Sequence, residues 1–146
     1  PDDFHLLPSA LRIADLNDEK LLDEWNDVTY YILSKSGINL NTSPNLDINK
    51  QNSDIVGNRA FGKNLEEIKT RGFKTIDYGK KYHVLSVCKH FPGHGLTKSN
   101  SHFILPMIFD KKIKQGEDYQ VFNEAMKYGA DAILLSHLII REYDKF

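Results

Sequence analysis

The stretch His83-Val-Leu-Ser-Val-Cys88, followed by Lys89-His90-Phe91-Pro92-Gly93-His94-Gly95, decides how this chain of 146 residues is read. Its first six residues are a short, partly β-branched apolar run, which predicts a buried strand over 83–88. The next seven cannot continue into a helix. Pro92, Gly93 and Gly95 force a tight exposed turn, and that turn presents Lys89 and His90 at a strand end.

Working outward, the same alternation of element types recurs. Leu21, Leu22, Trp25, Val28, Thr29, Ile32 and Leu33 form one apolar face and predict a helix over 18–36. Asn17 is its expected cap, Asp18 and Glu19 suit its positive end, and Gly37 ends it. Ile38-Asn-Leu-Asn41 alternates like a short strand, and the Asn-, Ser-, Asp- and Gly-rich segment 42–62 reads as a long loop. A second helix is expected from about 64 to 80, with Leu65, Ile68, Gly72 and Ile76 on one face and its interior glycine and threonine weakening it. A third covers 117–128, with Phe122, Ala125 and Met126 inward and Gly129 as its stop, and Ala132 to Leu135 is the next strand. Strands recurring about every 45 residues between helices predict right-handed βα units, an α/β fold and a parallel sheet.

Composition excludes several function classes. With 19 Lys+Arg against 20 Asp+Glu there is no charge bias toward DNA, RNA or anionic lipid. A hydrophobic content of 40% argues against disorder, and no apolar run approaches a bilayer span. The single Cys88 cannot form an internal disulfide and leans toward a reducing, cytoplasmic setting. The chain opens on Pro1, without Met, so its targeting is unreadable.

Each strand is followed by a polar cluster: Asn41 to Arg59, Lys89 to His102, and Ser136-His137. Ligands bind at the carboxyl ends of strands in parallel α/β folds, so the three clusters should converge. Four of the six histidines lie between 83 and 102. A lysine beside a histidine suits an array of hydroxyls, and His102, twelve residues on, can shuttle protons near neutral pH. A glycine turn with incidental surface histidines is an equal alternative at this point. A metal site of His90, His94, His102 and Cys88 is weaker, because Pro92-Gly93 breaks the helical spacing and no cysteine pair exists. Asp47-x-Asn49-x-Gln51 lacks the glycine and bidentate glutamate of a calcium loop. No Walker-type or dinucleotide fingerprint is present, so no cofactor is implied.

Lys89-His90-Phe91-Pro92-Gly93-His94-Gly95, with Ser101-His102-Phe-Ile-Leu-Pro106 after it, closely resembles the signature of family 3 glycoside hydrolases, in their bacterial β-N-acetylhexosaminidase branch. Leu7-Pro-Ser-Ala10, Gly37 to Asp47, Ile55 to Gly62 and Gly129 to His137 agree in order and spacing, so the resemblance covers nearly the whole chain. It implies a TIM-type (β/α)₈ barrel, of which 1–146 would be an incomplete central segment of about three βα units. It also implies a retaining, two-step removal of terminal β-linked N-acetylglucosamine from glycans such as cell-wall muropeptides. By position, Arg59, Lys89 and His90 would bind the sugar and His102 would be the general acid/base. Asp47 and His137 would border the site.

Two departures qualify the resemblance. Asn100 stands where the family has the Asp that forms a dyad with the acid/base histidine. An amide can accept the imidazole N–H but carries no charge, and a comparable carboxylate-to-amide change in a serine protease triad lowers turnover by about 10⁴. The family's nucleophilic Asp belongs to a later segment, and none of Asp110, Asp131 or Asp144 sits in a matching motif, so the 146 residues alone are expected to be inactive. Two alternatives remain: a degenerate sugar-binding or structural relative, and a phosphorylase of the same family. Three strands leave open sheet edges, which also allows self-association.

Overall fold

The computed structural model describes residues 7–50, 56–95, 105–109, 113–141, 143 and 144. Helix α1 (Ala10–Asp15), which periodicity over so few residues does not disclose, starts at Ser9, whose hydroxyl accepts from Arg12 N–H. Helix α2 (Glu19–Lys35) is capped by Asp18, which accepts from Leu21 N–H at 3.1 Å; the expected cap, Asn17, is instead a left-handed residue at φ 48°. Its buried stripe is Leu22, Asn26 and Tyr30. Val28 and Ile32, expected inward, are 45% and 37% exposed, because the polar Asn26, whose Nδ2–H donates to Leu22 O at 2.9 Å, takes the core position. Gly37 ends the helix at φ 76°, as anticipated.

Strand β1 (Leu40–Asn41) is followed by helix α3 (Leu65–Tyr82), strand β2 (Leu85–Phe91), strand β3 (Met107–Ile108), helix α4 (Glu117–Tyr128), strand β4 (Ala132–Leu135) and strand β5 (Ile139–Ile140). Asn64 caps α3 by accepting from Glu67 N–H. The interior Gly72 that weakens α3 on propensity lets the helix lie close to the segment after Asn41, since a Cβ there would sit 2.8 Å from Leu46 Cδ2. His83 is not in a strand: it closes α3 in the left-handed region at φ 57°. Helix α4, its Gly129 stop and β4 lie where expected, but Met126 is 49% exposed and Asp118, Val121, Phe122 and Ala125 make the buried face.

The three main strands are parallel in the order β1-β2-β4, which confirms the α/β reading; β3 and β5 form a separate parallel pair, two residues each, too short to leave a period. The segment after β1 is not a solvated loop. Leu46, Ile48, Val56, Ala60 and Phe61 are all at most 1% exposed, and they join Ile68, Ile76, Cys88, Val121 and Phe122 in the core. Backbone bonds from Val87 N to Ser43 O, Lys89 N to Pro44 O and Leu46 N to Lys89 O continue this edge, so β2 extends three residues beyond its apolar run. No helix among the described residues is long and apolar enough to cross a membrane.

Candidate active site

The carboxyl ends of β1 and β2 meet at Asp47. Its backbone N–H donates to Asn45 Oδ1 at 2.9 Å, a local turn that points the carboxylate into the protein, where the residue is fully buried. Three donors converge on it. His90 Nδ1–H donates to Oδ2 at 2.6 Å, while His90 N–H and His94 N–H donate to Oδ1 at 3.2 and 2.7 Å. The bonds compensate the carboxylate charge and hold the His90 ring with Nδ1 protonated, leaving Nε2 for a ligand.

The register of β2 on β4 slips at this point: Lys89 pairs with Leu134 and Phe91 with Leu135, so His90 is an extra residue. A bulge of this kind re-aims side chains at a strand end. Ser136 N–H and Oγ–H both donate to Phe91 O, at 2.9 and 2.8 Å, which pins the end of β4 beside it. The turn itself, expected to be exposed, is buried from Pro92 to Gly95. Gly95 is required there, because a Cβ would run into the Ile48 carbonyl.

Lys89 and Arg59 line one cleft of about 320 Å³ with Asn41, Thr42, Asn45 and Asn58. Lys89 Nζ reaches Thr42 Oγ1 at 3.4 Å. Burial, and then the Arg59 guanidinium, lower the Lys89 ammonium from its ordinary value, with Asp47 opposing. Arg59 is held by its own short 3-10 turn, Gly57–Arg59, where Nε donates to Val56 O.

The structure thus brings together Arg59, Lys89, His90 and Asp47. His137 is exposed on the loop after β4 and does not line the cleft. Asn100 and His102 lie outside the described residues. Among the described residues no group of three metal-ligating side chains is present, and the Cys88 thiol is buried and pushed up to about 12, far from a thiolate ligand. One participant takes a role other than the metal ligation weighed for it, and another escaped the sequence reading. The main chain of His94 binds Asp47, while burial lowers its imidazole from the ordinary value; Asp118, at the start of α4, packs under the turn. His94 lay in the quoted motif and Asp118 in the expected helix over 117–128, but only tertiary contact reveals what each does.

Comparison with known proteins accords with this geometry. The family model for the glycosyl hydrolase family 3 N-terminal domain matches residues 2–146. A β-hexosaminidase of Psychromonas ingrahamii is 33% identical over 155 aligned positions, covering 98% of this chain and 44% of that protein. Among solved structures, NagZ from Neisseria gonorrhoeae in complex with N-trifluoroacetyl-D-glucosamine superposes with a TM-score of 0.85 at 25% identity, over 99% of this chain and 44% of that one. A family 3 β-N-acetylglucosaminidase from Paenibacillus sp. str. FPU-7 gives a TM-score of 0.80 at 30% identity, over 94% of this chain and 26% of that one. The chain spans less than half the length of the curated relatives it matches. With the family model covering all but its first residue, the chain belongs to glycosyl hydrolase family 3.

Proposed function

We propose that these residues are part of a retaining β-N-acetylglucosaminidase that removes terminal β-linked N-acetylglucosamine from glycans, and that they carry its sugar-binding edge and its acid/base loop. The observation that carries this is the clamp of Asp47 on His90 and His94, which holds the Lys89-His90 strand end beside the cleft shared with Arg59. A neutral sugar offers hydroxyl and amide oxygens in a ring. The Lys89 ammonium provides three donors and the Arg59 guanidinium a planar fork, and charge-assisted bonds from both fix the ring's register. His90 Nε2, oriented through Nδ1, meets one further hydroxyl. The gonococcal and Paenibacillus relatives support N-acetylglucosamine as the sugar.

In this proposal β1, β2 and β4 are successive strands of a TIM-type barrel, and the exposed Leu85, Leu134 and Leu135 belong to surfaces that the remaining strands cover. His102 protonates the leaving oxygen and then deprotonates water, with Asn100 as its weak orienting partner. No nucleophile is assigned within the 146 residues.

The test is turnover of a chromogenic β-N-acetylglucosaminide by the full-length protein. The expected result is hydrolysis with net retention, reduced about 10²–10⁴-fold in His102→Ala and raised in Asn100→Asp. Lys89→Ala should raise KM. If neither the native protein nor Asn100→Asp turns over the substrate or binds the sugar, the proposal is wrong; binding without turnover would assign a sugar-binding role instead.

A further inference from the structure

Two buried carboxyl groups flank the turn that follows Lys89 and His90, and the proposed chemistry uses only one. Asp118, in the first turn of α4, is 3% exposed and packs on Gly93: a Cβ built there would lie 2.6 Å from Asp118 Cβ and 3.1 Å from Oδ1. Among the described residues its Oδ1 has no hydrogen-bond partner. Ionised, it is a desolvated charge with one oxygen lacking a donor, offset only by its own main-chain N–H and by Lys50, whereas a carboxylic acid carries no charge to desolvate. The groups facing it are Lys50 and Asp47 from the segment after β1 and Glu117 from its own helix; His90 and His94 are the histidines of the turn. Lys50 is itself paired with Glu117. Burial pushes Asp118 up to about 6; Lys50 opposes the rise, Asp47 adds to it, and the main-chain N–H of Asp118 itself opposes it more weakly.

We propose that Asp118 is a positioning residue for the sugar-binding turn: in its neutral form it is the uncharged floor on which Gly93 rests, and its ionisation loosens the turn and weakens sugar binding. The proposal rests on the function assigned above. Once ionised, Asp118 stands beside the charge of Asp47, whose donors are already committed. The less costly response is for the turn and the start of α4 to part until water reaches the carboxylate. Because Lys89 and His90 lead into that turn, the binding-competent fraction follows the neutral fraction of Asp118. Apparent affinity then falls by at most about tenfold per pH unit above the midpoint.

The experiment uses the full-length protein and its Asp118→Asn variant, in which an amide stands for the neutral acid. KM and kcat for a chromogenic β-N-acetylglucosaminide are measured from about pH 5 to about pH 8, and amide hydrogen exchange at Gly93 and His94 is followed without substrate. The native KM should climb above about pH 6, while the two amides lose protection beyond the intrinsic rise in exchange; Asp118→Asn should flatten both profiles. A variant whose KM profile tracks the native one, or native amides whose protection is constant through that interval, overturns the proposal. If the protein hydrolyses nothing, the functional assignment fails while exchange still decides the role of Asp118. Should the variant fold poorly, the exchange profile of the native protein decides it alone.

Discussion

Asp47 and Asp118 lie on either side of one turn, both buried, and they differ in the donors that reach them. Asp47 accepts three N–H donors from the turn; Asp118 Oδ1 accepts none among the described residues. Burial alone therefore does not decide what a carboxyl group contributes. Where three donors meet it the carboxylate organises a strand end, and where one oxygen meets none the fold favours the neutral acid.

The sharpest way to break this contrast is to remove Asp47. Asp47→Ala leaves His90 N–H, His90 Nδ1–H and His94 N–H without their acceptor inside the protein, a loss on the order of 3–5 kcal/mol in urea denaturation of the full-length protein. Sugar binding should go with it. A cost below about 1 kcal/mol would mean that the three bonds do not hold the turn.

Asp118→Asn should act in the opposite direction. Its carboxyl titrates near 6 when folded and near the ordinary aspartate value when unfolded, so between those points the folded state binds more protons. Native stability is therefore fully present below about pH 4, declines as pH rises to about 6, and is lower by ~3 kcal/mol above that. The amide variant should escape this decline and be the more stable protein at pH 7, by up to that amount. Parallel unfolding curves at pH 4.5 and pH 7, with about the same difference between variant and native at both, would contradict the assignment.

How much of this was readable in advance follows the same division between local and tertiary signals. Helix α4, Gly129 and β4 were legible because a one-faced period ends in a glycine that adopts φ 102°, a purely local pattern. The extension of β2 through Lys89 and His90 was not, since its partners come from Ser43 to Leu46 and Ser136, 43 and 45 residues away in the Asp47 and Ser136 contacts. The burial of Leu46, Ile48 and Phe61 was hidden by the asparagines among them. Lys89 and His90 were legible from the strand and the Pro-Gly turn around them, Arg59 and Asp47 only through the family resemblance, and their spatial association is now visible. Asp118 escaped because an acidic residue opening a helix reads as a partner of the helix dipole.

Glycine substitutions separate the two sides of the turn further. Gly95→Ala meets the backbone carbonyl of Ile48, on the Asp47 side; Gly93→Ala meets the side chain of Asp118 and must also hold φ 123°. Each should cost about 1–3 kcal/mol. The difference lies in rescue. Asp118→Gly should recover part of the Gly93→Ala loss, because the obstacle is a side chain, and none of the Gly95→Ala loss, because that obstacle is main chain. Equal rescue in a double-mutant cycle would place Asp118 away from Gly93.

The smallest expected change in stability tests the electrostatics most directly. Lys50 is half exposed in its pair with Glu117, so Lys50→Gln should alter stability at pH 7 by less than about 1 kcal/mol. It nevertheless removes the cation that opposes the rise at Asp118 and leaves Glu117 uncompensated beside it. Both changes disfavour the anion. The midpoint at which stability declines, and above which KM climbs, should therefore move to higher pH, while the Asp47 clamp is unaffected. A midpoint that stays in place or moves down would show that Asp118 does not sense Lys50, and the titrating group beneath the turn would have to be sought elsewhere.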